Sequence, residues 1–195
     1  MFSSQKQKSN VILSIYQDIR SVFRLIDIAL LTGETSFQPL NKKLNYYVRT
    51  GKLNNPRKGI YTKTVYNAQE LACSIFSPSY ISLEYVLQKA GLVFQYDTKI
   101  TSVSYLRRDI EITGQTYSFR KIKAEILVNT LGILRQENNV NIATPERAFL
   151  DILYLDANYY IDNLNPLNKE SVNSLLPLYK SKALSLRVKR LLQNA

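Results

Sequence analysis

The chain has 195 residues, 45% of them hydrophobic, so it can bury a core in one ordinary domain or two small ones. It contains no histidine and one cysteine, Cys73, which excludes a Ser-His-Asp triad, a Cys-His pair, an internal disulfide and a zinc site made from these residues. Neither GxGxxG nor a Walker A sequence occurs. We therefore expect a protein that is not an enzyme and needs no cofactor or metal.

Charge is concentrated near the N-terminus. The formal net charge is +11, from 26 basic and 15 acidic side chains. Residues 1–66 carry 11 basic and 3 acidic side chains, residues 67–178 carry 10 basic and 12 acidic ones, and residues 179–195 add five basic ones. A basic segment of this kind is typical of polyanion binding, because neutralised phosphates release their counterions. A basic surface that merely favours solubility would not predict this asymmetry.

The cellular compartment is predicted from the absence of a signal peptide and of a membrane span. The first ten residues are polar, and no apolar run reaches the roughly 18 residues that a membrane span needs. A lone cysteine fits a reducing environment. We expect a cytoplasmic protein with no membrane partner.

Three helices are predicted before residue 51. Apolar residues recur at helical spacing over residues 11–20 and again over residues 24–32, where Gly33 ends the second helix. Thr35 and Ser36 are good N-caps for a third helix over residues 37–50. Two helices joined by a short turn with glycine indicate a helix-turn-helix.

A hairpin is predicted directly after the third helix. Residues 52–55 and 60–62 read as short strands around the turn Pro56-Arg57-Lys58-Gly59. Cations at the tip of such a hairpin lie beside the DNA groove in winged-helix proteins. Residues 1–66 are thus predicted to form a winged helix-turn-helix domain that binds double-stranded DNA, although a solvated surface hairpin is an alternative.

Candidate DNA contacts follow from the exposed face of the third helix. Amide and guanidinium groups match base edges, whereas ammonium groups mainly meet phosphates. The positions predicted to face the major groove are Ser36, Gln38, Asn41, Lys42, Asn45 and Arg49. The positions predicted to contact phosphates are Lys42, Lys43, Lys52, Arg57 and Lys58.

Residues 67–195 are predicted to form an α+β domain that binds a partner. A small antiparallel sheet with flanking helices and C-terminal helices is expected. The predicted strands cover residues 98–105, 110–113, 116–122 and 125–128. The predicted helices cover residues 68–76, 83–90, 145–156, 169–176 and 182–193, with residues 79–84 as the capped start of the second.

Five segments, taken in order, resemble the AbiEi family of antitoxins and transcriptional regulators. They are YVRTGKL (47–53), RKGIY (57–61), PSYISLE (78–84), ITSV (100–103) and IATPERAFLD (142–151). The resemblance implies a winged helix that represses its own operon, and a second domain that counters a nucleotidyltransferase toxin in a type IV toxin-antitoxin system of abortive phage infection. It is also compatible with a homo-oligomer bound to an operator. The part after Asp156 is shorter than in some members of the family.

Other interpretations remain open at this stage. The rear domain can be a sensor of a small ligand instead of an antitoxin. Asp109 and Glu111 lie on one face of a predicted strand, as in a metal-dependent nuclease, but a solvated charged face explains them better. The basic tail can contact DNA, an acidic partner or only water. For residues 79–84 and 144–151 we favour helix capping and core packing over a functional site.

Overall fold

The computed structural model describes residues 10–193, which divide into two compact units, one ending at Ile75 and the other beginning at Phe76. Both units contain helices and strands, so the α+β class predicted from the sequence is confirmed. Within residues 10–193, every helix is too short or too polar to cross a membrane.

The first unit alternates helices with three short strands. Its elements are α1 (Val11–Gln17), β1 (Val22–Arg24), α2 (Leu25–Thr32), α3 (Phe37–Arg49), β2 (Asn54–Arg57), β3 (Ile60–Thr62) and α4 (Ala68–Ile75). Helix α1 ends three residues before the predicted end, because the Asp18 carboxylate accepts hydrogen bonds from the backbone and the guanidinium of Arg20. Such local side-chain bonds compete with helix continuation.

The three strands of the first unit form an antiparallel sheet in the order β1-β3-β2. Strand β1, which the sequence did not predict, pairs Phe23 with Tyr61. Strands β2 and β3 form the predicted hairpin, with a register shift between Asn54 and Arg57. The sheet is therefore three strands wide instead of two.

Apolar residues of the first three helices, of β1 and of the hairpin region meet in one core. Helix α3 contributes Leu40 and Leu44, both completely buried, as their helical spacing predicted. They pack with completely or almost completely buried residues of the neighbouring elements, namely Val11, Ile15, Phe23, Ile28 and Leu53. This packing fixes which face of α3 is exposed.

Helix α4 belongs to the first unit because its carboxylate completes the end of strand β1. Glu70 is buried, and its Oε2 accepts hydrogen bonds from the backbone N–H groups of Ser21 (2.6 Å) and Val22 (2.9 Å). The sequence placed the domain boundary after Tyr66, where the charge balance changes sign. The compact unit extends nine residues further, to Ile75.

The second unit is built around a six-stranded mixed sheet in the order β6-β7-β5-β4-β9-β8. Its strands are β4 (Ser79–Ile81), β5 (Ile100–Ser104), β6 (Arg108–Ile112), β7 (Gln115–Lys121), β8 (Ile133–Arg135) and β9 (Asn141–Ala143). Its helices are α5 (Glu84–Lys89), α6 (Ala124–Leu127), α7 (Pro145–Leu155), α8 (Lys169–Leu175), a 3-10 turn (Leu176–Tyr179) and α9 (Lys182–Gln193).

Three predictions for this sheet are wrong. The sheet is not antiparallel throughout, because β5 runs parallel to β7 and β4 runs parallel to β9. Residues 125–128, predicted as a strand, lie largely in helix α6. Residues 79–81, predicted to start a helix, form β4 between β5 and β9. Strands of three residues depend on their partners more than on a local pattern, which also explains why β8 and β9 were missed.

A charged pair lies in the core of the second unit. Arg147 and Asp151, one helical turn apart on α7, are both completely buried, with Arg147 Nε 3.4 Å from Asp151 Oδ1. The guanidinium also donates hydrogen bonds to the carbonyls of Leu131 and Ile126, both at 2.8 Å, and to the Tyr80 hydroxyl at 3.0 Å. Arg147 thereby holds α7 to the ends of α6 and β4.

Three hydroxyl groups complete the shell of Asp151. They come from Tyr179 (2.7 Å), Ser82 (2.8 Å) and Tyr80 (3.2 Å), and all donate to its carboxylate. Complete burial raises the pKa of Asp151, although Arg147 and the hydroxyls act in the opposite direction. Burial also raises the pKa of Tyr80 and of Tyr179, so both phenols stay protonated and keep donating.

The first prediction concerns this buried pair. Asp151→Ala leaves the Arg147 guanidinium buried without its carboxylate, and we expect a loss of about 3–5 kcal/mol in the free energy of unfolding. The double variant Arg147→Met/Asp151→Leu, which removes both charges, should be more stable than the single variant. Urea unfolding followed by circular dichroism measures both. A double variant that is less stable than Asp151→Ala would contradict the proposed energetics.

Candidate nucleic-acid interface

Helix α3 presents one polar stripe to solvent, on the side opposite the core. Because Leu40 and Leu44 are buried, residues spaced by three and four positions on the other side remain accessible. This stripe, called the α3 stripe below, consists of Gln38, Lys42, Asn45 and Arg49, and all four side chains are exposed. The sequence had predicted each of them as an outward residue.

Two further predicted contacts flank the α3 stripe. Ser36 lies at the N-cap position with extended backbone angles and is exposed, but its side chain makes no capping hydrogen bond. Lys52 is exposed just beyond the C-terminal end of α3. Its carbonyl accepts a hydrogen bond from the Tyr16 hydroxyl at 2.7 Å, which fixes the backbone while its ammonium group faces solvent.

Asn41 and Lys43, also predicted as DNA contacts, are only partly accessible. Lys43 Nζ lies 2.5 Å from Glu34 Oε1, so its charge is matched within the protein. Asn41 Oδ1 accepts a hydrogen bond from the Tyr61 hydroxyl at 3.4 Å. Burial raises the pKa of Tyr61, which keeps this donor protonated. Both residues hold α3 against its neighbours, so they are less suited to contact DNA than the α3 stripe.

The hairpin that follows α3 is held by a side-chain amide. Asn55 Nδ2 donates to the carbonyls of Arg57 (2.9 Å) and Ile60 (2.7 Å) and so bridges the two sides of the turn. Gly59 has φ +80°, a backbone conformation that favours glycine. Lys58 is exposed at the tip, whereas Arg57 is half-buried on β2.

Each carboxylate in the described part of the first unit is engaged by a group outside the α3 stripe. Asp18 and Arg20 form an ion pair at 2.7 Å, and the hydrogen bond from Arg20 lowers the pKa of Asp18. The four carboxylates and their partners are Asp18 with Arg20, Asp27 with Arg24, Glu34 with Lys43, and Glu70 with backbone N–H groups.

Four cations remain without a carboxylate on or beside the α3 stripe. Across the described part of the first unit, residues 10–75, no ion pair involves Lys42, Arg49, Lys52 or Lys58. Two of these cations lie on α3 and two follow it, at the helix end and at the hairpin tip. Positive charge is therefore concentrated where the sequence predicted DNA contacts.

One residue at this surface was not predicted. The Tyr46 side chain is 48% exposed, and the Arg49 guanidinium lies 5.9 Å from the centre of its ring. At this distance the guanidinium and the ring form a cation–π contact. The signal in the sequence is a tyrosine three residues before an arginine on a helix, a spacing that brings the two side chains together.

The carboxylates considered for a metal site lie on the edge strand β6. Asp109 and Glu111 are both exposed, and Asp109 Oδ1 accepts a hydrogen bond from the Ser118 hydroxyl on β7 at 2.6 Å. Throughout residues 10–193, there is no group of three or more cysteine and carboxylate side chains that could hold a metal ion.

Comparison with known proteins shows similarity in fold. No family model matches the chain. No curated protein matches it either. Among solved structures, the chain is similar to the RV2827C protein from Mycobacterium tuberculosis, with a TM-score of 0.55 and 14% sequence identity over 95% of this chain and 75% of that one. At this identity the similarity concerns the fold alone.

Proposed function

We propose that this protein is a DNA-binding transcriptional repressor whose first unit is a winged helix-turn-helix. The chain order of α1, β1, α2, α3, β2 and β3 supports this proposal, as does the sheet order β1-β3-β2. Helix α2 ends at Gly33, which has φ +67°, and the Glu34 N–H returns to the Ala29 carbonyl at 3.1 Å. This tight ending separates α2 from α3 by a short turn, as in a helix-turn-helix.

The distribution of unmatched charge is the observation that carries the proposal. Lys42 and Arg49 lie on the α3 stripe, and Lys52 and Lys58 lie on the segment that follows. In this proposal α3 enters the major groove, where Arg49 and Asn45 face base edges. Lys52 and Lys58 then lie beside the phosphates, which position the protein without specifying sequence.

We also propose that the protein represses its own operon and acts as the antitoxin of a type IV system against a nucleotidyltransferase toxin in the cytoplasm. The five segments that resemble the AbiEi family support this part. Two of them, residues 78–84 and 142–151, supply the buried network of Arg147 and Asp151 in the second unit. An inverted-repeat operator bound by two copies fits the same proposal.

A first DNA experiment tests the phosphate contacts. The double variant Lys52→Ala/Lys58→Ala should bind all duplexes more weakly, and the slope of log K against log salt concentration should fall by about 2 in magnitude. Fluorescence anisotropy with the chain's own upstream DNA measures both quantities. The double variant Lys89→Ala/Lys99→Ala, with two exposed lysines from the second unit, is the matched control and should keep the wild-type slope. An unchanged slope in the first variant contradicts the interface.

A second DNA experiment tests base reading. Asn45→Ala and Arg49→Ala should change the preferred sequence, each by about 1–3 kcal/mol of discrimination at the base pair it contacts. Selection of bound duplexes from a randomised pool reports this change. Lys58→Ala is the comparison, since it should lower affinity while keeping the wild-type preference. If all three variants select the same sequence, α3 does not read the bases.

The antitoxin role has its own test. The proposal requires a nucleotidyltransferase gene beside this one. Cells that express that enzyme should stop growing, and co-expression of the chain should restore growth. Arg49→Ala/Lys58→Ala, weakened in DNA binding, should restore growth equally well, because neutralisation is assigned to the second unit. Recovery that depends on these two cations would contradict that assignment.

A further inference from the structure

A groove runs along α9 in the second unit. Two adjoining cavities of about 570 and 460 Å³ form it, and both are lined by Leu176 and Ser185. Leu186, 60% exposed, lies at one end and half-buried Leu192 at the other. The floor is thus apolar yet open to solvent, and exposed apolar surface of this kind marks interaction sites.

Lysines border this apolar floor. They are Lys169, Lys180, Lys182 and Lys189, whereas no aspartate or glutamate lines either cavity. Lys180 contacts Glu125 at 3.3 Å, but both side chains are more than three-quarters exposed, so this pair contributes little. Lys182 and Lys189 have no ion pair within residues 10–193.

One arginine of the basic segment 179–195 has a different role. Arg187 is half-buried and donates a hydrogen bond to the Leu153 carbonyl at the end of α7. It therefore attaches α9 to the core of the unit. The remaining lysines on the groove side of α9 are left to face a ligand.

We propose that this groove binds an amphipathic helix of a partner protein, with an apolar ridge and acidic flanks. Leucines along the floor would bury the ridge, and the bordering lysines would meet the acidic side chains. Helix α9 has 12 residues and is about 18 Å long, so it accommodates a partner helix of similar length.

Charge and shape favour this occupant over two others. A second copy of α9 would place lysines against lysines, and like charges across an interface are unfavourable. Nucleic acid would satisfy the lysines, but its phosphate backbone has no apolar ridge to cover Leu176, Leu186 and Leu192. The inference goes beyond the proposed function, because it involves neither the α3 stripe nor DNA.

The probe for this proposal is a synthetic peptide. It is a fluorescein-labelled helix of about 14 residues, with leucine at every third or fourth position and glutamate on both flanks. Two comparison peptides carry lysine in place of glutamate, or the same composition in scrambled order. With the full chain, we expect both to bind at least about tenfold more weakly than the probe in fluorescence anisotropy.

Charge reversal in the groove provides the decisive comparison. Lys182→Glu/Lys189→Glu should weaken binding of the acidic probe at least about tenfold and strengthen binding of the lysine-flanked peptide. Lys121→Glu/Lys123→Glu, which reverses two exposed lysines elsewhere in the second unit, should change neither. All four positions are exposed, so we expect each variant to remain folded, and circular dichroism checks this.

Four results would overturn the proposal. The scrambled peptide binds as tightly as the probe, the groove variant binds the acidic probe unchanged, or Leu186→Glu converts a dimer to a monomer in sedimentation and shows that a second copy covers the groove. A groove variant that loses affinity for duplex DNA would instead assign the lysines to nucleic acid and overturn it as well. Failure of the wild-type chain to bind its upstream DNA contradicts the repressor alone.

Discussion

Burial of Leu40 and Leu44 beneath α3 is the constraint on which the first unit depends. Once these two leucines face the core, the opposite face of the helix, with Gln38, Lys42, Asn45 and Arg49, must point to solvent. The carboxylates of the unit are engaged elsewhere, by arginines, by Lys43 and by backbone N–H groups. Core packing and the placement of acids together leave a cationic surface at α3 and its hairpin. The proposed affinity for DNA is a consequence of both, since either a rotated α3 or a nearby carboxylate would remove it.

The second unit solves a different problem, which is how a helix can cross a core while carrying two charges. Arg147 meets two carbonyl groups and a phenol, and Asp151 meets three hydroxyls. These partners come from several separate parts of the chain, so all the hydrogen bonds form only when β4, α6 and the 3-10 turn are in place. A different arrangement of these elements would leave a buried charge without its hydrogen-bond partners, which is costly.

The sequence predicted the helices better than the strands, because helical periodicity extends over more residues. The spacing of Leu40 and Leu44 was sufficient to place α3 within one residue at its end and to identify the α3 stripe. The site was less predictable where a side chain contacts a residue distant in sequence. Asn41 and Lys43 were predicted to be exposed, but they contact Tyr61 and Glu34. Strands β1, β4, β8 and β9 each have three residues and no period of their own. The parallel pairings of the mixed sheet depend on long connections, which a local pattern does not record.

The buried pair on α7 also constrains how this protein can change over evolutionary time. Because Arg147 and Asp151 are both inaccessible to water, replacing either one leaves the other charge buried without its partner. Single substitutions at these two positions should therefore be selected against. Descendants of this gene should keep both residues or exchange them together, and the two positions should covary when homologous sequences are aligned.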